Sequence, residues 1–334
     1  MNGISDAALR HLREVADLPD LSETPYEILE TLGRGGMGTV YLARDRRLDR
    51  EVALKVVQLS PDETGRLLRE ARVLASLEHP GIVPVHDAGV LPDGRAFYAM
   101  KRVRGLRLDE HARAVPLPER LRAFERVCEA VAFAHAHGVI HRDLKPENVM
   151  VGPFGEVLVM DWGVAKVRPS QGEGEKDGDA VSGGFFVEEG WGGKGFEGQA
   201  AGAVPETAHG TILGTSGYMA PEQERGEVDR IDPRTDVYAL GAILGFLLAG
   251  EEAPPRPLEA IRRRAMAAEP GERYPKVEAL VADLSRYLAG QAVGAHRESL
   301  IERAGRFARR HRTAILLVLG YLVMRILLIF FLRR

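Results

Sequence analysis

The stretch HRDLKPENVM, His141–Met150, is followed by the tripeptide DWG, Asp161–Gly163. Together they place a carboxylate (Asp143), an ammonium (Lys145), an amide oxygen (Asn148) and a second carboxylate (Asp161) in one short span of chain. Transfer of a phosphoryl group asks for that inventory. It needs a carboxylate to orient the attacking hydroxyl, a cation beside the moving phosphate, and oxygen ligands for a hard octahedral ion such as Mg²⁺. On this reading Asp143 and Lys145 take the catalytic roles, and Asn148 and Asp161 hold the metal.

Upstream, LGRGGMGTV supplies Leu32, Gly33, Gly35, Gly38 and Val40 between two strand-like runs. Glycines let a hairpin bend closely over a phosphate chain and present backbone N–H groups to it. Dinucleotide-binding turns share this G-x-G-x-x-G spacing, but they open a helix, and here a strand follows. Next, VALK puts Lys55 inside an apolar strand, where an unpaired ammonium is costly. Its expected partner is Glu70, in the segment ETGRLLREARVLASL, whose Leu67, Leu68, Leu74 and Leu77 recur at helical spacing. Lys55 is then left to grip the α- and β-phosphates. The runs GIVPVHDAGVL and RAFYAMKRV add further strands, and from Pro118 the pattern turns helical with ERLRAFERVCEAVAFAHAHG. The ordered set G-x-G-x-x-G-x-V, VALK, HRDLKPEN, D-x-G and APE is too specific for structural coincidence.

Carried by these motifs, residues 26–290 resemble a bacterial serine/threonine protein kinase of the eukaryotic-like (Hanks) type, in a DWG variant. The lysine in HRDLKPEN and the segment GTSGYMAPEQ, Gly214–Gln223, resemble the serine/threonine branch. The resemblance implies an α+β, two-lobed fold: a β-rich N-lobe with one regulatory helix over 26–103 and a helical C-lobe over 104–290. It implies ATP with Mg²⁺, or Mn²⁺ in its place, and protein hydroxyls as acceptors. ATP would be lined by Leu32, Gly33, Gly35, Gly38, Val40, Ala53, Lys55, Glu70, Met100 as gatekeeper, and Met150. Backbone groups of Lys101–Val103 would meet the adenine edge. Thr215 would bridge Asp143 and Lys145, Glu222 would pair with Arg273, and Asp236 would brace the catalytic loop with its His141 and Arg142. Trp162 would stand where the family usually has Phe, packed between Leu74 and His141. Trp keeps a flat apolar face and adds an N–H that wants an acceptor. Neither metal ligand is touched, so Trp162 is expected to tune the active–inactive equilibrium.

Two departures from the family pattern stand out. Residues 169–210 are glycine-rich and acidic, without periodicity, and read as a flexible insertion in the activation segment. Thr207 and Thr211 lie at its far edge, and Arg142 precedes Asp143; kinases so arranged are often ordered by a phosphate pairing with that arginine. Both threonines are therefore expected regulatory sites. After VYALGAILGFLLAG the chain is also shorter than the family pattern by a helix that helps dock substrates. That shortening should leave the chemistry intact and alter substrate recruitment.

The remaining composition is that of a globular protein, with 45% hydrophobic and 28% charged residues. A net charge of −3 argues against nucleic acid as a partner. The single cysteine, Cys128, cannot close an intrachain disulfide and fits a reducing compartment. Residues 1–25 form an N-terminal extension without a signal-peptide pattern. At the other end, TAILLVLGYLVMRILLIFFL (313–332) is apolar on every face apart from Arg325. As a helix it would span roughly 30 Å, which predicts a transmembrane anchor. The preceding linker, 291–312, is basic: six arginines fall in 297–312, and only Arg333 and Arg334 follow the span. That asymmetry places the catalytic body on the cytoplasmic side of the inner membrane in a single-pass arrangement. Self-association in the bilayer would favour phosphorylation between copies. Two rival readings are an ATP-binding scaffold (pseudokinase) and a small-molecule phosphotransferase. The intact Lys55, Asp143, Asn148 and Asp161 oppose the first, and the APE segment opposes the second.

Overall fold

A computed structural model describes residues 18–35, 38–162, 166–167, 217–296, 298–299, 303 and 312–332. The N-lobe is built on five strands: β1 (Tyr26–Gly35), β2 (Gly38–Asp45), β3 (Arg50–Val57), β4 (Val85–Val90) and β5 (Ala96–Lys101). They form one antiparallel sheet in the order β1-β2-β3-β5-β4. Between β3 and β4 runs helix α1 (Pro61–Ala75). Its start is fixed locally: the Ser60 side chain accepts from the Glu63 N–H, Glu63 Oε2 accepts from the Ser60 N–H at 2.9 Å, and Pro61 opens the first turn. Leu67, Ala71 and Leu74 then bury its apolar face against the sheet.

Strand periodicity decides what faces the cleft. Successive side chains of β3 point to opposite sides. Val52, Leu54 and Val56 join an outer cluster with Tyr26, Tyr41, Phe97 and Ala99. Ala53 and Val57 join an inner cluster with Leu67, Tyr98 and Met100, and Lys55, between them in the alternation, shares that inner side. Leu18–Thr24 is tied to the back of the lobe: Arg95 donates to Leu18 O at 2.6 Å, and Arg46 donates to Thr24 O at 3.2 Å.

The C-lobe is helical, as expected. It begins with β6 (Leu106–Arg107), α2 (Leu108–Ala114) and α3 (Leu117–Ala136). Short strands follow: β7 (Val139–Ile140), β8 (Val149–Val151), β9 (Val157–Val159) and β10 (Lys166–Val167). These give a three-stranded β6-β8-β9 sheet and a β7–β10 pair. Then come α4 (Pro221–Glu224), α5 (Pro233–Leu248), α6 (Arg256–Ala265) and α7 (Val277–Leu288). The main core lies among α3, α5, α6 and α7, with Phe124, Val127, Leu240, Ile243, Ile261 and Leu284 all buried. Cys128 lies there too, and burial pushes its thiol well above the ordinary range, so it behaves as a packed apolar group. The shortened stretch after α5 is a direct link, 249–255, into α6.

The last helix, α8, covers Arg312–Leu332. Among the described residues no helix is long and apolar enough to cross a membrane; side chains on α8 are described only as far as Arg325. Residues 1–17 of the N-terminal extension, the insertion 169–210, and Thr207, Thr211 and Thr215 lie outside the described residues.

Candidate active site

The catalytic loop runs from His141 to Asn148, between β7 and β8, and hangs on Asp236. That carboxylate sits in the first turn of α5 and is fully buried. Its Oδ2 accepts from the His141 N–H at 2.8 Å and from His135 Nε2 at 2.7 Å, and its Oδ1 accepts from the Arg142 N–H at 2.8 Å. Burial alone would raise its pKa, but His135, His141 and the backbone donors outweigh that and hold it below the ordinary value. Arg142 needs this support, because its φ of 70° is left-handed, a conformation that costs a non-glycine residue about 1–2 kcal/mol. Its carbonyl is held as well, accepting from Gln223 Nε2 at 2.8 Å. With both peptide groups clamped, the turn delivers Asp143 into the cleft.

His141 completes the frame. Its Nε2 lies 2.9 Å from Met160 O, an atom that can only accept, so Nε2 carries the proton. Nδ1 is then free to accept from the Asp143 N–H at 3.3 Å. Burial lowers the His141 pKa, against the pull of Asp236, and the ring stays neutral in this role. At the mouth of the loop Lys145 Nζ lies 2.9 Å from Asp143 Oδ2. Asn148 Nδ2 donates to Asp143 O at 2.8 Å and to Asp143 Oδ2 at 3.2 Å. Those bonds commit the amide nitrogen of Asn148, leaving its oxygen as the atom available to a cation.

Across the cleft, Lys55 forms an ion pair with Asp161. Glu70, the expected partner, sits on α1 and lines a cavity of about 10 Å³ with Leu67, Ala71, Leu74, Val85 and Tyr98. Burial disfavours the Lys55 charge, but Tyr98 and Asp161 more than compensate and raise its pKa. Asp161 also has a left-handed φ, 61°. Its oxygens and that of Asn148 suit Mg²⁺, which takes few protein ligands and fills its shell with water and phosphate oxygens. Among the described residues no cluster of three or more His, Cys, Asp or Glu could hold a metal by itself. The roof is the β1–β2 hairpin, where Gly33 faces Val40 and Gly35 faces Gly38. Gly38 has a φ of 124°, and a Cβ there would sit 2.3 Å from Val56 O, so no other residue fits this turn. Val40, Ala53 and Met100 gather in one apolar cluster with Val103 and Met160. Leu32, half exposed, and Met150, half buried on β8, lie outside that cluster.

Residues 26–191 match the protein kinase domain family. Over that stretch, just under half of the 334 residues, the chain is similar to protein kinase domains. It is 34% identical over 321 residues to the serine/threonine-protein kinase PknD of Chlamydia muridarum, a match covering 82% of this chain and 33% of that protein. It is 32% identical to PknD of Protochlamydia amoebophila over 80% of this chain and 30% of that one. With the serine/threonine-protein kinase PknB of Mycolicibacterium smegmatis it shares 34% identity over 80% of this chain and 43% of that protein. The chain thus spans about a third of the length of the PknD relatives it matches.

Two further features tie the parts of the site together. Trp162 is buried to 2% exposure, its ring 4.5 Å from that of His141, in one core cluster with Leu74 of α1. The acceptor its indole N–H requires is Val159 O, at 3.1 Å. Glu222 and Arg273 form a bidentate pair, 2.7 Å at each contact, with both side chains out of solvent. Thr235, Arg234 O and the carbonyls of Ala267 and Ala268 satisfy their remaining sites. Removing one partner from such a pair strands a buried charge and costs about 3–5 kcal/mol.

Sequence reasoning missed Gln223, His135 and Tyr98. Gln223 merely follows the APE motif, and its reach to Arg142 O is a tertiary fact. His135 occupies an ordinary position near the end of α3. Tyr98 could have been found, since it lies two residues before Met100 on a strand and therefore on the same face.

Proposed function

We propose that this chain is an ATP-dependent protein serine/threonine kinase that phosphorylates itself and partner proteins while anchored to a membrane. The observation that carries the reading is the convergence of Asp143, Lys145 and Asn148, on a loop braced by Asp236, opposite Lys55 and Asp161. The relatives' printed names, serine/threonine-protein kinases, support the same class of acceptor. In this reading Lys55 binds the α- and β-phosphates, and the glycine hairpin covers them. Asn148 and Asp161 would hold Mg²⁺, which when bound neutralises charge developing on the phosphates. Asp143 orients the acceptor hydroxyl and takes its proton. The hydroxyl oxygen bonds to the γ-phosphorus, the bond to the β,γ-bridging oxygen breaks, and ADP leaves. Lys145, beside Asp143, steadies the moving phosphoryl group.

The anchor is part of the proposal. Residues 313–332 are apolar apart from Arg325, and α8 is helical from Arg312 to Leu332, about the length that spans a hydrocarbon core. Leu316, Leu317, Val318, Leu319, Val323 and Met324 are exposed on it, as lipid-facing side chains would be. The basic linker before it supports a cytoplasmic catalytic domain, and a shared bilayer would raise the effective concentration for transfer between copies. Thr207 and Thr211 are the proposed regulatory phosphosites, and Thr215 the proposed bridge between Asp143 and Lys145.

The deciding experiment incubates the full chain in detergent, and its Asp143→Asn variant, with Mg²⁺ and labelled ATP, and maps phosphate by mass spectrometry. Label on the first and none on the second is expected, with phosphate at Thr207 or Thr211. ATP binding by both with transfer by neither would refute the kinase reading and leave a nucleotide-binding scaffold.

A further inference from the structure

We propose that the cavity between α1 and strand β4 is the docking site of residues 6–17 of this same chain, seated there as an amphipathic helix. The cavity has a volume of about 150 Å³. Leu68, Ala71, Ala75, Val85 and Ala88 give it an apolar lining, and Arg72 and Asp87 contribute its charged part. A space of that size accepts a benzene-sized group, so it has room for a leucine side chain. Arg72, Ala75 and His86 are exposed around it. β4 is the last strand on its side of the sheet, with β5 as its neighbour, so the cavity lies on an open flank.

The path of the chain points to the occupant. At Leu18 the chain is anchored: its carbonyl accepts from Arg95 at 2.6 Å, and the Asp20 N–H donates to Asp93 Oδ2 at 2.9 Å. Both tethers lie in the turn that joins β4 to β5, where Val90, the last residue of β4, pairs with Ala96. Residues 1–17 therefore enter beside the end of the strand that borders the cavity. The lengths agree. A helix over 6–17 would be about 18 Å long, and the six residues of β4 cover about 20 Å. Running back along β4 from Leu18, such a helix carries Ala8 about 15 Å from the anchor. His86 lies about 13 Å from Val90 along the strand, so the two fall side by side.

The sequence of the segment suits that place. In SDAALRHLREVADLP, Ser5–Pro19, a helix would put Ala8, Leu9, Leu12, Val15 and Ala16 on one face and Asp6, Arg10, Arg13, Glu14 and Asp17 on the other. Ser5 is a favoured N-cap, Asp6 suits the first turn, and Pro19 sets the end. A helix this short is marginal in water and needs an apolar surface to hold it. The cavity lining supplies one for Leu9 and Leu12. Arg72 makes no ion pair among the described residues, and Glu14 and Asp17 offer it carboxylates. Ala71 and Val85 also line the small cavity that reaches Glu70, so the docked segment would brace the helix that carries Glu70. Neither these residues nor the test involves nucleotide, so the inference stands apart from the phosphate-transfer reading.

The test is cross-linking in the full chain in detergent. Cys128, the single native cysteine, is buried with its thiol protonated, and stays silent. Cysteines are introduced as the pair Ala8→Cys and His86→Cys and, as a control, Ala8→Cys and Leu48→Cys, and are joined by a short bismaleimide. Leu48 is exposed on the β2–β3 turn, across the sheet from β4. The first pair should link within one chain at least about 10-fold faster than the control, and adding Leu12→Asp should slow that link at least about 10-fold. Equal rates for the two pairs, or a rate untouched by Leu12→Asp, would overturn the proposal. Links joining two chains would overturn it as well and give the cavity to a second copy.

Discussion

Replacing Asp236 by Asn tests the claim that one buried carboxylate shapes the catalytic loop. The side chain keeps its volume and loses one acceptor. Three donors converge on the native carboxylate, two on Oδ2 and one on Oδ1, at 2.7–2.8 Å. An amide oxygen placed at the Oδ2 position keeps His135 and His141, and the amide nitrogen then faces the Arg142 N–H, donor against donor. A stranded buried N–H costs about 1–3 kcal/mol. The two surviving bonds also lose their charge assistance, roughly half their strength. The sum is about 2–4 kcal/mol, a large share of a typical reserve of about 5–15 kcal/mol. The left-handed conformation at Arg142 loses one of its two clamps, so the loop relaxes and Asp143 moves. A displacement of about 1 Å at the reacting group can cost about 100-fold in rate. We therefore expect a lower urea midpoint and a kcat reduced about 10- to 100-fold, with KM for ATP within about threefold because β1 to β3 are untouched. Unfolding can be followed by tryptophan fluorescence, since Trp162 packs on His141 within the affected region. Wild-type midpoint and wild-type kcat in this variant would refute the reasoning.

Trp162→Phe removes the bond to Val159 O and some apolar area while keeping a ring against His141; a loss of about 1–2 kcal/mol is expected. Phosphate transfer should persist at an altered rate in the labelled-ATP assay, and its complete loss would contradict a tuning role. Stability should fall as the solution is acidified. His141 has a pKa lowered by its burial, and Asp236 and Glu222 have theirs lowered by their donors in spite of burial. Each of the three binds fewer protons folded than unfolded, so stability rises with pH. The His141 contribution is complete above its unfolded value of about 6.5 and is lost as pH falls through its lower folded value, with the carboxylates following below about pH 4. Melting temperatures measured from pH 8 to 4 should decline once the pH drops below about 6.5, and a curve flat to pH 4 would contradict this.

Much of the site was legible in the sequence because its chemistry is local. Asp143, Lys145 and Asn148 lie within one loop, so their contacts follow from a single tight turn. The glycines at 33, 35 and 38 likewise encode a hairpin by short-range sterics, and the apolar run of VALK encodes a strand that carries Lys55. Trp162 could be placed against Leu74 and His141 only through the family pattern, whereas its need for an acceptor followed from its chemistry. The Glu222–Arg273 pair was legible only through the family pattern, since 51 residues separate the partners. No rule of helix or strand periodicity links them.

What the tertiary structure decided is the choice among partners. The sequence reading gives Lys55 the partner Glu70; the packed cleft also brings Asp161 into an ion pair with it, from a left-handed turn after β9. It also names Val159 O as the acceptor for Trp162, and it puts Tyr98 behind the lysine through the β3–β5 register. Above all it collects His135, His141, Arg142 and Gln223 around one turn. The residue types that can do the chemistry are fixed by the chain alone, since backbone sterics and periodicity act over a few residues. Which of them meet is set by helices and strands closing a core, where a buried charge or N–H must find whatever complementary group the packing brings within about 3 Å.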